Sequence, residues 1–247
     1  MLKWHRKPQA TRTLAWVVVA GWGLAGCGES PGGMPDAATG DGSADGPTGE
    51  CTPTGGDTWT SMSAAPGILL GDRHLALWTG SEMLIWTDGG AGAAYSPSRD
   101  AWRTISPLSG TGGDRLGVTG VWTGMEMIIW GGLGGVPGRA YNPVSNAWRE
   151  IAPAPVSEAR SLASAVWTGE EMFIWGGHDP FGEFADGALY DPADDSWRPV
   201  STVDAPSPRL LATAIWTGSA VVLWGGALDG VPLDDGGEYD LSLTRQS

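Results

Sequence analysis

Short apolar runs recur along this chain, each ending in an aromatic residue and each followed at once by a turn signal. The stretch AVWTGEEMFIWGG at 165–177 sets two tryptophans eight residues apart, and the frame returns as ALWTGSEMLIWTDGG at 76–90, GVWTGMEMIIWGG at 120–132 and AIWTGSAVVLWGG at 214–226. Within one unit four segments follow one another: SLASAVW after Arg160, EMFIWGG, GALYDP and SWRPVS. Alternating or short apolar runs separated by Thr-Gly, Gly-Gly and Asp-Pro predict strands joined by tight turns. Each unit is therefore expected to fold as one four-stranded antiparallel sheet.

The units are evenly spaced. Their leading tryptophans, Trp78, Trp122, Trp167 and Trp216, lie 44, 45 and 49 residues apart, within the period of propeller blades. Tyr95, Tyr141 and Tyr190 precede Trp102, Trp148 and Trp197 by seven residues, with Pro97, Pro143 and Pro192 two after each tyrosine and Arg103, Arg149 and Arg198 directly after each tryptophan. The order opens on a lone fourth strand, TWTSMS around Trp59, and finishes after a third strand, GEYDL around Tyr239. These are complementary halves of one blade. Two arrangements follow: a four-bladed ring closed by the N-terminal strand, which would remove exposed sheet edges, or an open arc truncated from a larger propeller.

The pattern resembles the kelch repeat. The features that carry the resemblance are an Arg ahead of the first strand (Arg73, Arg115, Arg160, Arg209), a Gly-Gly doublet closing the second (131–132, 176–177, 225–226), a Tyr in the third, Tyr239 included, and a Trp in the fourth. The match spans roughly residues 57–241 and implies an all-β fold, a kelch-type propeller of four-stranded antiparallel blades. One unit departs from it: Thr87-Asp88 stands where the first doublet belongs, with Gly89-Gly90 two places on. The turn there is expected to be built differently.

A blade packed on both faces explains the tryptophans. Each buried indole removes about 200 Å² from water, worth up to about 5 kcal/mol, so the twelve repeat tryptophans read as wedge-filling core before they read as sugar-stacking platforms. The glycines after them permit positive φ, and a Gly-Gly turn leaves the backbone free to approach a neighbour.

Composition changes the picture mainly at the N-terminus. Lys3, Arg6, Lys7 and Arg12 precede the apolar LAWVVVAGWG, which is too short to span a bilayer, and LAGC follows it. Residues 1–26 read as an export signal. Leu24 to Cys27 resembles a bacterial lipobox, implying cleavage before Cys27, lipid on that cysteine and, with Gly28 rather than Asp next to it, an outer-membrane position in the bacterial envelope. Residues 27–56 are rich in Gly, Pro and Asp and nearly free of bulky apolar groups; they read as a tether holding the folded part, residues 57–247, roughly 30 Å from the membrane. The aspartates Asp36, Asp41 and Asp45 lack EF-hand spacing, and Cys51 has no mate once Cys27 is acylated. Acidic residues outnumber basic ones 28 to 14, which disfavours nucleic acid as a partner.

Candidate chemistry is confined to loops and to the arginines. The distance from second-strand Trp to third-strand Tyr grows from 9 and 11 to 15 and 15 residues, and variable loops on a rigid scaffold are where recognition sits. The third loop offers His178, Asp179, Phe181, Glu183, Phe184 and Asp186; the fourth offers Asp229, Asp234, Asp235 and Glu238, which read as solvated turn residues with calcium as the sharper alternative. No nucleophile elbow, zinc cluster or phosphate loop is present in the sequence. A copper site like that of the galactose oxidase type, to which the resemblance extends, could not be assembled with Cys51 in the tether, and no cofactor or metal is expected. The expected function is a membrane-tethered binding or scaffold module for a protein or glycan. The alternative is a sugar-active, epimerase-like enzyme whose channel would be lined by Arg73, Arg115, Arg160 and Arg209, residues that also suit bracing of the first strand.

Overall fold

The computed structural model describes residues 58–65, 73–108 and 115–242. Residues 1–57, on which the expected export signal, the expected lipid cysteine Cys27 and the expected tether with Cys51 fall, lie outside the described residues. The described chain is all-β. Sheet I comprises β1 (His74–Trp78), β2 (Met83–Thr87), β3 (Gly92–Ser96) and β4 (Ala101–Ile105); sheet II comprises β5 (Thr119–Trp122), β6 (Met127–Trp130), β7 (Arg139–Asn142) and β8 (Ala147–Glu150). Sheet III uses β9 (Ser164–Trp167), β10 (Met172–Trp175), β13 (Gly187–Asp191) and β14 (Ser196–Pro199), and between β10 and β13 it extends a small hairpin, β11 (His178–Asp179) and β12 (Gly182–Glu183). Sheet IV has three strands, β15 (Thr213–Trp216), β16 (Ala220–Trp224) and β19 (Gly236–Asp240), with a matching hairpin, β17 (Ala227–Leu228) and β18 (Val231–Pro232). Every pairing is antiparallel, and in sheets I to III the third-strand tyrosine sits opposite the fourth-strand tryptophan, as in Tyr95 opposite Trp102.

The sheets stand in a propeller-like row, with the first strands β1, β5, β9 and β15 as successive neighbours. One apolar core fills each gap between consecutive sheets: Leu84 and Trp86 meet Met127 and Ile129, Ile128 and Trp130 meet Met172 and Ile174, and Phe173 and Trp175 meet Val221 and Leu223. Alternate side chains of one strand thus serve two different cores. That is why MIIW and MFIW are continuously apolar instead of alternating: a strand covered on both faces has no polar side.

The fourth-strand tryptophans lock the gaps. Trp148 of sheet II packs edge-on against Trp86 of sheet I at 4.6 Å between ring centroids, and Trp197 of sheet III lies 5.9 Å from Trp130 of sheet II. Each also leans on the tyrosine of its own sheet at about 5 Å. The indole Nε1 of Trp148 donates to the Ser106 carbonyl and that of Trp197 to the Ala152 carbonyl, four residues past the preceding sheet's tryptophan in both cases. The Gly-Gly doublets work between sheets as well. Gly132 N–H donates to the Arg160 carbonyl at 2.7 Å and Gly177 N–H to the Arg209 carbonyl at 2.8 Å. A Cβ on Gly131 would come within 2.6 Å of that Arg160 oxygen. In sheet I the expected different turn is present: Thr87 closes a tight hairpin onto Ala91, and the Asp88 carboxylate, in place of a glycine, accepts the Gly117 N–H of sheet II.

Closure of the row by the N-terminal strand, one of the two arrangements expected from the sequence, is not seen among the described residues. β19 pairs only with β16. Residues 58–65 form no strand; Ser63 accepts from Trp102 Nε1 and donates to Asp100, holding this stretch on sheet I while Trp59 stays fully exposed. On sheet IV Trp224 is 59% and Ile215 53% exposed, whereas Trp86 and Trp130 at the position of Trp224 are completely buried. The physical reason is positional, since Trp59 and the edge of sheet IV sit at opposite ends of the row.

Candidate functional site

The two extra hairpins occupy the same end of neighbouring sheets and form the most elaborated surface of the molecule. They are tied together: the Glu183 carboxylate on β12 accepts the Asp229 N–H at the turn between β17 and β18, at 3.1 Å. Asp179 is used inside its own turn, its carboxylate accepting the N–H groups of Phe181 and Gly182. Such a carboxylate-capped turn fixes the tip. On that tip Phe181 projects with 96% of its surface exposed, and Val231 on the neighbouring hairpin is also exposed. Asp229 and Asp234 are exposed beside them. The surface is therefore an apolar ring on a braced hairpin, flanked by carboxylates.

Phe184, three residues from Phe181, does something else. Its ring lies over the Arg160 guanidinium at 4.0 Å. Arg160 is itself buried and donates to the carbonyls of Ser157, Gly176 and Asp186, with an ion pair to the Asp186 carboxylate at 2.7 Å. Arg209 repeats this arrangement in sheet IV, donating to Gly225 and Asp235 carbonyls and to the Asp235 carboxylate. Arg115 is buried in sheet II, donates to the Pro137 carbonyl, and is pushed toward easier deprotonation by desolvation and then by the charge of Arg139. Of the four arginines only Arg73 is exposed. The three enclosed guanidiniums hold the loop between second and third strands against the start of the first strand. Asp186 and Asp235 belong to that bracing, and Glu238 is exposed on β19.

His178 Nε2 lies 2.9 Å from Ser161 Oγ, and its Nδ1 lies 3.2 Å from the Asp179 carbonyl. A hydroxyl beside an imidazole is the beginning of a nucleophile, but Ser161 is buried, which leaves a substrate carbonyl no approach to its Oγ. The pair fastens β11 to the start of sheet III, where Ser161 and His178 also exchange backbone hydrogen bonds. Among the described residues no three His, Cys, Asp or Glu side chains converge on a common point.

Two recurring sets of residues escaped sequence reasoning. Glu82, Glu126 and Glu171, four before each second-strand tryptophan, pair with Arg103, Arg149 and Arg198 of the same sheet at 2.6 to 2.8 Å. The arginines then reach the next sheet: Arg103 donates to Tyr141 Oη and Arg149 to Tyr190 Oη. Hydrogen bonding to Arg103 draws the Glu82 carboxyl below its ordinary range. Asp100, Asn146 and Asp195, five after each tyrosine, take positive φ and accept the tyrosine hydroxyl. Their side chains also accept the N–H of Ser63, Ser106 and Ala152 from the preceding segment. Desolvation, and then its bond to Asp195, pushes the Tyr190 hydroxyl up to about 12. The fixed offsets were the available signal; what they connect lies across a sheet boundary. Compared with protein-family models and with curated proteins, the chain matches none.

Proposed function

We propose that this chain is a kelch-type propeller of the bacterial envelope, anchored by lipid on Cys27 and serving as a recognition or scaffold module for a protein or glycan ligand. The reading is carried by one observation: Phe181, almost wholly exposed, stands on a hairpin braced by Asp179 and by the Glu183 contact to the next hairpin. A large apolar ring already held at fixed geometry loses little freedom when a partner covers it, which suits a contact residue. The flanking carboxylates of Asp229 and Asp234 suit a partner that offers hydroxyl, amide or cationic donors. Binding of the purified full chain to immobilised glycans and to envelope proteins tests this reading. Phe181→Ala is expected to weaken capture at least tenfold while the unfolding midpoint is unchanged; equal capture by the variant and the wild type removes Phe181 from the site.

A further inference from the structure

Among the described residues sheet IV has no fourth strand carrying tryptophan, unlike sheets I to III, and a recess lined by Trp175, Val200, Pro206, Val221, Leu223 and Tyr239 lies where that indole belongs. The equivalent spaces hold Trp148 between sheets I and II and Trp197 between sheets II and III, each indole lying between the preceding sheet's second-strand tryptophan and its own sheet's tyrosine. Here Trp175 and Tyr239 supply both walls. Ser201, four residues past Trp197, stands where Ser106 and Ala152 offer carbonyls to an indole N–H. The position seven after Tyr239 carries Gln246, where the other units carry tryptophan.

One repeat tryptophan has no sheet, and that is Trp59. Its stretch stands toward sheet I as the end of β4 stands toward sheet II: Trp102 Nε1 donates to the Ser63 carbonyl and Asp100 accepts the Ser63 N–H, just as Trp148 and Asn146 treat Ser106. Residues 58–63 are thus placed as the last strand of a sheet preceding sheet I. A second match concerns charge. In sheets I to III a glutamate four before the second-strand tryptophan clasps the arginine after the fourth-strand tryptophan. In sheet IV that glutamate is replaced by Ala220, and after Trp59 that arginine is replaced by Thr60. A strand carrying arginine would bury an unpaired charge against Ala220; this one does not.

We propose that a second copy of this chain completes sheet IV, donating residues 58–63 as its fourth strand, so that the chains associate head to tail. The donor's Trp59 enters the recess opposite Tyr239, and the donor's sheet I stacks on the acceptor's sheet IV. That stacking covers Trp224 and Ile215, the two large apolar side chains left bare on the outer face of sheet IV, with Trp102 of the donor taking toward Trp224 the place that Trp148 takes toward Trp86. A second copy is the fitting donor because strand and recess lie at opposite ends of one row. A head-to-tail contact closes into a ring or continues, according to the rotation it imposes.

Sedimentation of the purified full-length chain in density-matched detergent at micromolar concentration tests the proposal. The wild type is expected as particles of two or more copies. Trp59→Ala and Trp224→Ala should each shift it to single copies, and Phe181→Ala should not. A synthetic peptide of residues 56–64 should dissociate the assembly by competing for the recess, and the same peptide with alanine for tryptophan should leave it intact; this arm needs no folded variant. Single wild-type copies overturn the proposal, whether Trp59 is quenched by iodide, as in a free strand, or shielded from it, as in closure within one chain. An assembly indifferent to Trp59→Ala and to the peptide overturns it too.

Discussion

The gap between sheets II and III and the outer face of sheet IV are built from nearly the same residues and end in opposite states. In the first, Trp130 is sealed by Trp197, the Gly131-Gly132 doublet lies against Arg160, and the Glu126–Arg149 clasp reaches Tyr190. In the second, Trp224 is bare and a Cβ on Gly225 would meet nothing closer than 3.6 Å, the Leu233 carbonyl oxygen. Nothing intrinsic to the strands explains this. The side chains that make a core at one position are surface at the other, because burial in a row of sheets is conferred by the neighbour. The unit of stability is a pair of sheets with the tryptophan between them, as expected of repeat architectures.

The largest effect should come from removing a seal. Trp197→Ala uncovers Trp130 and removes the indole donor to Ala152; by denaturant unfolding it should cost roughly 3 kcal/mol, the low end of the range for large core aromatics, because the ring is half-buried. A loss under about 1 kcal/mol, the range of surface changes, would mean the gap is held by its aliphatic residues alone and would erase the contrast with sheet IV.

A paired glycine substitution sharpens the contrast. Gly131 and Gly225 both take positive φ, 76° and 70°, so alanine at either costs about 1–2 kcal/mol of backbone strain. Only at Gly131 does the new methyl also press on the Arg160 carbonyl of the next sheet. The difference between the two variants therefore isolates the neighbour's contribution, and Gly131→Ala is expected to be the more destabilising by at least about 1 kcal/mol. Measured in the Trp59→Ala background, which keeps the chains as single copies, equal losses would show that the doublets serve only their own turns.

The smallest effect concerns acid. Hydrogen bonding to Arg103 lowers the Glu82 carboxyl from its ordinary 4.5. A depressed carboxyl contributes stability that is fully present above the ordinary value and lost as pH falls through the lowered one. Glu82→Gln should thus flatten the decline of stability below about pH 4.5 relative to wild type, by a modest amount because the pair is partly solvated. Sheet IV has Ala220 at this position and so lacks the clasp carboxylate. An unchanged acid limb in Glu82→Gln would remove the clasp from the features that set sheets I to III apart.

Much of this was legible in the chain. Trp-Thr-Gly turns, Gly-Gly doublets and the seven-residue offset from Tyr to Trp specify strands, their order and their antiparallel pairing, because turn chemistry and side-chain periodicity are local. The same logic read the loop between second and third strands as the variable one, and Phe181 does stand free on its tip. It could not separate Phe181 from Phe184, three residues apart in one hairpin loop, since what distinguishes them is the Arg160 guanidinium beneath the second ring.

The amino-acid order alone carries the four Trp-Thr-Gly units, the strands within each, and the reading of the Trp59 and Tyr239 stretches as complementary halves of one blade. The folded chain is needed to see which arginines are enclosed, that Asp100, Asn146 and Asp195 join each sheet to the segment before it, and that Trp59 lies at the far end of the row from the recess it matches. The division has a physical cause. Hydrogen bonds within a hairpin depend on residues a few positions apart, whereas the distance between the first and last sheets depends on the rotation accumulated at every interface between them, which no single repeat encodes.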